Sequence, residues 1–472
     1  MRLFLVFYFS VLSVFFAQAQ SYDTTLFKTT DNAGEEVVYI GNINLRGNKI
    51  TKDFIILREI TFTKGDKMPL KELEKQLLIT KQQIYNTSLF VDDSVYIAKR
   101  KGPVADINIV LKERWYFFPL PYMKLIDRNF NQWWTQENHS LNRIDFGLKF
   151  MEMNLTGRND KLNLYFIDGY NQQVSLRYDI PFLDKKLQHG INIGMGYMRQ
   201  RELNYATSPT NTQLFLKLDN DYAKTTKRID LTYSYRPNQK VRHYFKVGYY
   251  SESIADSIFK TNSLYYPDSL KKVNYVGFNY SFNYYNADYN AYPSKGYIFS
   301  ANISKKGLDK INNMWSIDAH ITYATHLWKN SILVLDGAAT IKFPYNPYFY
   351  NQALFGSGTY QLSGQEYNVV DGVSGILGKT TIEQKLFTYI FKNPIRSKTH
   401  DKIPFNVYLN VFGNFGYCDN PYYTTLLNNK LMYTYGVGVD IVSVYDLVFK
   451  LSLAFNQLNV SGLYIHSRND FY

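Results

Sequence analysis

Tyr433-Thr-Tyr-Gly-Val-Gly-Val-Asp-Ile441 is soon followed by Leu447-Val-Phe-Lys-Leu-Ser-Leu-Ala-Phe455. In the first stretch Tyr433, Tyr435, Val437, Val439 and Ile441 alternate with Thr434, Gly436, Gly438 and Asp440. In the second, Leu447, Phe449, Leu451, Leu453 and Phe455 alternate with Val448, Lys450, Ser452 and Ala454. A period of two belongs to β-strands, whose successive side chains point to opposite faces. Ile191, Ile193, Met195 and Tyr197 repeat the pattern, as do Trp315, Ile317, Ala319, Ile321 and Tyr323. Charges fall on the second face. From residue 116 onward no long helical pattern interrupts these segments of about ten residues, the signature of a membrane barrel with one face to lipid and one to a watery lumen. Sixteen or seventeen segments qualify. A single-chain bacterial barrel has an even number of strands, so sixteen are expected.

Composition agrees with that division of faces. The 472 residues include 43 Tyr and 33 Phe, and 17% are aromatic. The mean hydropathy is nevertheless −0.31. Aromatic girdles at two membrane interfaces combined with a polar lumen give this result, although a Tyr-rich soluble β protein would share it. The formal net charge is +13. Its basic residues occur as isolated pairs such as Lys185-Lys186 and Lys305-Lys306. That spread favours solvated turns and contact with anionic lipid over nucleic-acid binding. Cys418 is the only cysteine, which excludes an internal disulfide or a cysteine-based metal site.

Residues 1–19 are expected to be a signal peptide. Arg2 is its charged start, Leu3–Phe16 its apolar run, and Ala17-Gln18-Ala19 its cleavage site. No cysteine follows for lipid attachment. No later apolar stretch is long enough for a membrane helix, and only helices or closed barrels satisfy every backbone group in lipid. Residues 20–36 read as a linker.

Residues 37–115 read as a small α/β domain of order β-α-α-β-β. Val38, Ile40, Ile43 and Leu45 mark its first strand. Phe54–Ile60 and about 69–85 carry helical spacing, the second through Leu70, Leu73, Leu77 and Ile84. Strands near 91–98 and 105–113 follow. Arg46-Gly47-Asn48, Gly65-Asp66, Tyr85-x-x-x-Leu89-Phe90 and Val110-x-Lys112-Glu113-Arg114-Trp115 together resemble a POTRA domain. The whole mature chain, with residues 116–472 as barrel, is similar to the BamA/TamA family of outer-membrane assembly factors. The fold class is thus mainly β: one POTRA-like domain before a sixteen-stranded transmembrane antiparallel barrel.

Four further features carry the resemblance. Asp288-x4-Pro293-x2-Gly296 is similar to a tight periplasmic turn of the family. The connection from about Pro344 to Lys379 is far longer than a hairpin needs. Within it, Gly356, Gly358, Leu362, Ser363, Gly364 and Gln365 occupy the positions of the family's lumen loop, a glycine-rich approach to an Arg-Gly-aromatic signature. Glu383, Phe412, Asn414 and Gly416 fall where the family places inner-wall contacts. Ser363 replaces the family arginine, Gln365 the aromatic, and Asn414 the aspartate. Joint loss of a buried ion pair leaves two neutral groups, whereas loss of one partner strands a charge. A Ser363–Asn414 tether is therefore expected. The terminal Phe471 and Tyr472 resemble the aromatic end read by barrel-assembly machinery. The polar last strand, from about Gly462, is expected to seal poorly against the first.

Enzyme chemistry is not expected. Gly378-Lys379-Thr380 ends like a phosphate loop, but Val373 stands where glycine is required. No His-Glu-x-x-His or Gly-x-Ser-x-Gly occurs. His320 and His326 read as polar-face residues of one strand. No cofactor is implied. The resemblance implies a specialised insertion or translocation factor at the outer membrane, with its N-terminal domain in the periplasm. Its partners would be unfolded client proteins, periplasmic accessory proteins or chaperones, and outer-membrane lipid, with no nucleic acid. A passive or polypeptide-secreting pore, and a docking barrel without insertase activity, are the alternatives.

Overall fold

The computed structural model describes residues 36–126, 138–309, 312–356, 360–392 and 402–468. The expected signal peptide, most of the linker, Gly358, and Phe471 and Tyr472 lie outside the described residues.

The N-terminal domain comprises β1 (Val37–Arg46), α1 (Asp53–Leu57), β2 (Lys67–Pro69), α2 (Leu70–Tyr85), β3 (Phe90–Lys101) and β4 (Val104–Glu113). The sheet order is β2-β1-β4-β3. The three-residue β2 adds a strand to the order read from sequence. It is too short to show periodicity, and its pairing with Val37–Tyr39 of β1 defines it. Pro69 immediately precedes α2, and Glu72 lies in its first turn, where an acidic group suits the helix dipole. Leu73, Leu77, Thr80 and Ile84 form the buried stripe of α2. They meet Val38, Ile40, Ile107 and Ile109 from the sheet in one apolar core.

The barrel runs through β5 (Phe117–Leu125), β6 (Ile144–Met153), β7 (Lys161–Gly169), β8 (Gln172–Ile180) and β9 (His189–Gln200). The hairpin β10 (Glu202–Thr207) and β11 (Gln213–Lys217) stands apart from the main sheet. The wall continues through β12 (Lys224–Tyr235), β13 (Val241–Ile254), β14 (Lys272–Ala287), β15 (Gly296–Lys306), β16 (Met314–Trp328) and β17 (Ser331–Phe343). A second small pair, β18 (Ala353–Phe355) and β19 (Val370–Asp371), precedes β20 (Ser374–Lys392), β21 (Lys402–Asp419), β22 (Leu431–Val442), β23 (Val448–Asn456) and β24 (Ser461–Arg468). The wall is a single sixteen-stranded sheet of antiparallel neighbours from β5 to β24. Among the described residues, no ladder joins β5 to β24.

The alternation appears as two faces. Tyr433, Tyr435 and Val437 are exposed on the outside, while Thr434 and Asp440 are buried on the inside. Leu447 belongs to the turn before β23, so that strand starts one residue later than its pattern. The long connection is shorter than expected, running only from Pro344 to Val373. Gly378-Lys379-Thr380 lies within β20, paired to Leu335–Gly337 of β17, and forms no loop.

The N-terminal domain docks on turns at one end of the barrel. Asn154 donates its side-chain amide to Thr51 (2.9 Å), and Arg58 donates Nε to the Leu187 carbonyl (2.7 Å). Arg236 donates two bonds to Glu59, both 2.8 Å. The backbone amide of Asn290 donates to Asn86 Oδ1 (3.1 Å), and Arg114 donates to Asp446 (2.9 Å). Five turns, following β6, β8, β12, β14 and β22, are thereby gathered under one domain.

Candidate functional site

The connection between β17 and β20 leaves the far end of the barrel and folds into the lumen. Leu362, 2% exposed, anchors its tip in a cluster with Phe355, Leu377 and Met432. Gly364 has φ +94°, and a Cβ there would lie 3.2 Å from the Ala454 Cβ and 3.4 Å from that of Thr434. The loop backbone is pressed against β22 and β23, and only glycine suits both the close approach and the left-handed conformation. Asn456 Nδ2 donates to the Gly364 carbonyl (2.8 Å), and Gln365 Nε2 to Gln457 Oε1 (3.1 Å).

The next residue, Glu366, faces two ways. One oxygen accepts the Gly364 amide (2.7 Å), and the other lies 3.0 Å from His466 Nε2 on the last strand. Tyr367 packs near Tyr464, with ring centroids 5.8 Å apart. Sequence reading assigned no role to Glu366, Asn456, Tyr464 or His466. The acidic residue beside the altered signature was the available signal, but its partner lies 100 residues away.

The expected Ser363–Asn414 tether is not present: among the described residues no hydrogen bond joins them. Asn414 Nδ2 instead donates to Thr434 Oγ1 (3.0 Å), the residue on which Gly364 rests. Ser363 is half-buried. Gly356 (φ +79°) turns the backbone so that its amide donates to the Tyr360 carbonyl (3.0 Å). Among the expected wall residues, Gly416 lies under Leu362, and Phe412 packs with Ala454 and Tyr464. Glu383, 3% exposed, lies deeper, opposite Asn410, and belongs to a different layer. There Asp440 accepts from Asn410 (2.8 Å) and Tyr292 (3.0 Å) and pairs with Lys450 (3.2 Å).

Tyr292 comes from the Asp288–Gly296 turn, which thereby does more than reverse the chain. Asp288 Oδ1 accepts the amides of Tyr289, Ser294 and Lys295 (2.9–3.1 Å). Gly296 has φ +108°, and a Cβ would fall 2.0 Å from the Asn286 carbonyl. Pro293 completes the turn. Asn86 of the N-terminal domain donates to the Asp288 carbonyl (3.3 Å), so one turn links that domain to the lumen layer. His320, on the polar face as expected, lies 3.7 Å from Asp336, and His326 is exposed near Ser294.

The far mouth is tied at Asn211, the fully buried tip of the β10–β11 hairpin. Its backbone carbonyl accepts the Val369 amide and its side-chain amide donates to the Val369 carbonyl, both at 2.8 Å. Its Oδ1 accepts the Leu427 amide (2.9 Å). Three connections therefore meet on one asparagine. At the near end, burial opposes the charge on Asp446, but Arg114, Tyr289 and Ser88 hold its carboxyl below the ordinary range. Burial, with Arg236 beside it, lowers the Arg58 guanidinium to about 10.

Residues 38–114 match the POTRA family described as surface antigen variable number repeat. Among curated proteins none matches the chain in sequence. Two solved structures resemble it over most of its length. BamA from Haemophilus ducreyi lacking POTRA domains 1–3 has TM-score 0.50 at 14% identity, covering 91% of this chain and 83% of the other. CdiB from Escherichia coli has TM-score 0.52 at 9% identity, covering 90% and 75%. The order of elements and the two structural matches lead to one assignment: the chain has a BamA-like fold, a POTRA domain at residues 38–114 joined to a sixteen-stranded β-barrel.

Proposed function

We propose that the protein is an outer-membrane insertion or secretion factor, with the POTRA domain on the periplasmic side. The observation that carries this reading is the state of the last strand. Among the described residues β24 has one ladder partner, β23, over Ser461–Arg468. On its inner row it is held by the lumen loop through His466 and Tyr464. A strand with a free edge and a releasable inner contact can accept a client strand by β-augmentation. The POTRA edge strand β3 supplies a second such edge for a client or accessory protein. No cofactor or covalent step is needed, because burial of client apolar surface in lipid drives insertion.

The alternatives gain less support. A passive pore needs an open path, whereas the POTRA domain spans turns at one mouth and Asn211 ties the other. Purified protein in liposomes tests the reading through protease protection of a small unfolded barrel protein. Faster insertion than in empty liposomes, lost on deletion of residues 360–369, is expected. No acceleration with the barrel folded, whether accessory proteins are supplied or not, would favour a docking barrel. Steady ion conductance without insertion would favour a pore.

A further inference from the structure

One sector of the wall does not end with its neighbours. The β17 ladder with β20 stops at Ser331–Gln384, and the Lys385 amide donates to the Asn330 carbonyl (2.8 Å) at the adjacent turn. β20 nevertheless continues to Lys392, paired only with β21 from Phe387–Val407 to Lys392–Lys402. At the ordinary strand rise the two strands project about 24 Å past Lys385 on the POTRA side.

The two faces of this arm differ. The register places Phe387, Tyr389 and Phe391 on the same face as Val407, Phe405 and Ile403. Val407 lies two residues from Leu409 and four from Val411, so this apolar face continues the outer, lipid-facing row of β21. The other face carries Thr388, Ile390 and Lys392 opposite Asn406, Pro404 and Lys402, so the lysines would reach headgroups from the tip of the arm and not from its aromatic face. Phe387 is 56% exposed and Tyr389 58%, matching Val411 at 56% on the wall above. Lys392 and Lys402, directly opposite each other, are exposed at the end of the arm. No charge interrupts β20 between Lys385 and Lys392, although exposed edge strands are normally guarded by charge.

We propose that the β20–β21 arm is a lipid-contacting paddle. Its outer face enters the boundary of the POTRA-side leaflet, and Lys392 and Lys402 meet anionic phospholipid headgroups. Aromatic residues flanked by lysines suit that depth, with apolar rings toward acyl chains and ammonium groups toward phosphate. Continuity with the lipid-facing wall favours lipid over a protein strand on the same surface. The inference goes beyond the insertase reading and rests only on the barrel standing in a bilayer.

Spin labels on the full chain test it. Phe387→Cys, Phe391→Cys and, as wall reference, Val411→Cys are made in a Cys418→Ala background, and folding is scored by heat-modifiable gel mobility. Samples are reconstituted in phosphatidylcholine with and without phosphatidylglycerol. The arm labels are expected to be accessible to oxygen and shielded from a water-soluble nickel complex, as at Val411, and more deeply so with phosphatidylglycerol. Lys392→Gln/Lys402→Gln should remove the phosphatidylglycerol dependence. Nickel access at both arm sites, with Val411 lipid-exposed, would overturn the proposal, and shielding from both reagents would assign the face to protein. Nickel access at Val411 itself would instead overturn the membrane reading. Should either cysteine variant fail to fold, cross-linking of the unmodified chain by photoactivatable phosphatidylglycerol is expected within residues 386–392 or 402–407. Labelling confined to other strands would refute the paddle.

Discussion

Glu366 illustrates how a short side chain can change a molecule's wiring. The sequence reading singled out this connection, but sought its tether at Ser363 and Asn414. In the fold the contact lies three strands farther along, where Glu366 meets His466 on β24. Hydrogen bonds to charged groups contribute about 1.5–3 kcal/mol. Glu366→Ala or His466→Ala should therefore speed amide exchange of Leu463–His466 by about tenfold or more, while β21 and β22 stay unchanged. Uniform acceleration across the barrel would assign the pair a general structural role.

Asp93 offers a second test at this scale. It is 2% exposed in β3 with one oxygen lacking a partner. Burial raises its carboxyl, Lys81 opposes this and Asp92 adds to it, for a value of about 7 against an ordinary 3.8. The folded state thus holds this proton more tightly than the unfolded one, so stability falls as pH rises from 3.8 through about 7. Asp93→Asn should stabilise the POTRA domain at pH 8 by on the order of 2–4 kcal/mol and leave it unchanged near pH 3. Thermal unfolding followed by exchange in residues 37–113 decides this. Equal stability of both forms at pH 8 would remove the penalty assigned to Asp93.

Individual elements were legible where one face met water and the other did not. The wall strands around Tyr433 and Trp315 needed only their period of two. β24 was underread: its polar composition concealed the alternation of exposed Leu463 and Ile465 with inward Tyr464 and His466. The arm was illegible because its projection depends on where the neighbouring ladder ends, a matter of register. β2 was missed for its length. The turn elements carry a sharper prediction. Breaking a buried ion pair costs about 3–5 kcal/mol, and the Arg114 and Asp446 side chains are only 4% and 8% exposed. Asp446→Ala should release the POTRA domain from the β22–β23 turn, read as a broadened POTRA-to-barrel distance distribution. The Asp446 carboxyl is lowered in the folded state, so its contribution is full above the ordinary carboxylate range. It is lost as pH falls through the lowered value, and docking should loosen only in strong acid.

For the molecule as a whole, both mouths are governed by contacts between connections. Asn211→Ala removes bonds to Val369 and Leu427 while sparing the wall. It should raise single-channel conductance in planar bilayers without changing the folded fraction. Unchanged conductance would place the barrier deeper, at the lumen loop. Function was legible only as far as family resemblance reached, since the proposed insertion or secretion role would need no reactive constellation for a sequence to display.

The clasp between Arg114 and Asp446 joins residues 332 positions apart. During synthesis the arginine is made early and waits for nearly the entire barrel before its partner exists. Before the β22–β23 hairpin is complete, that guanidinium has the Phe90 carbonyl (2.9 Å) but no carboxylate to pair with its charge. Docking of the N-terminal domain at this point therefore cannot be complete until the β22–β23 hairpin has formed.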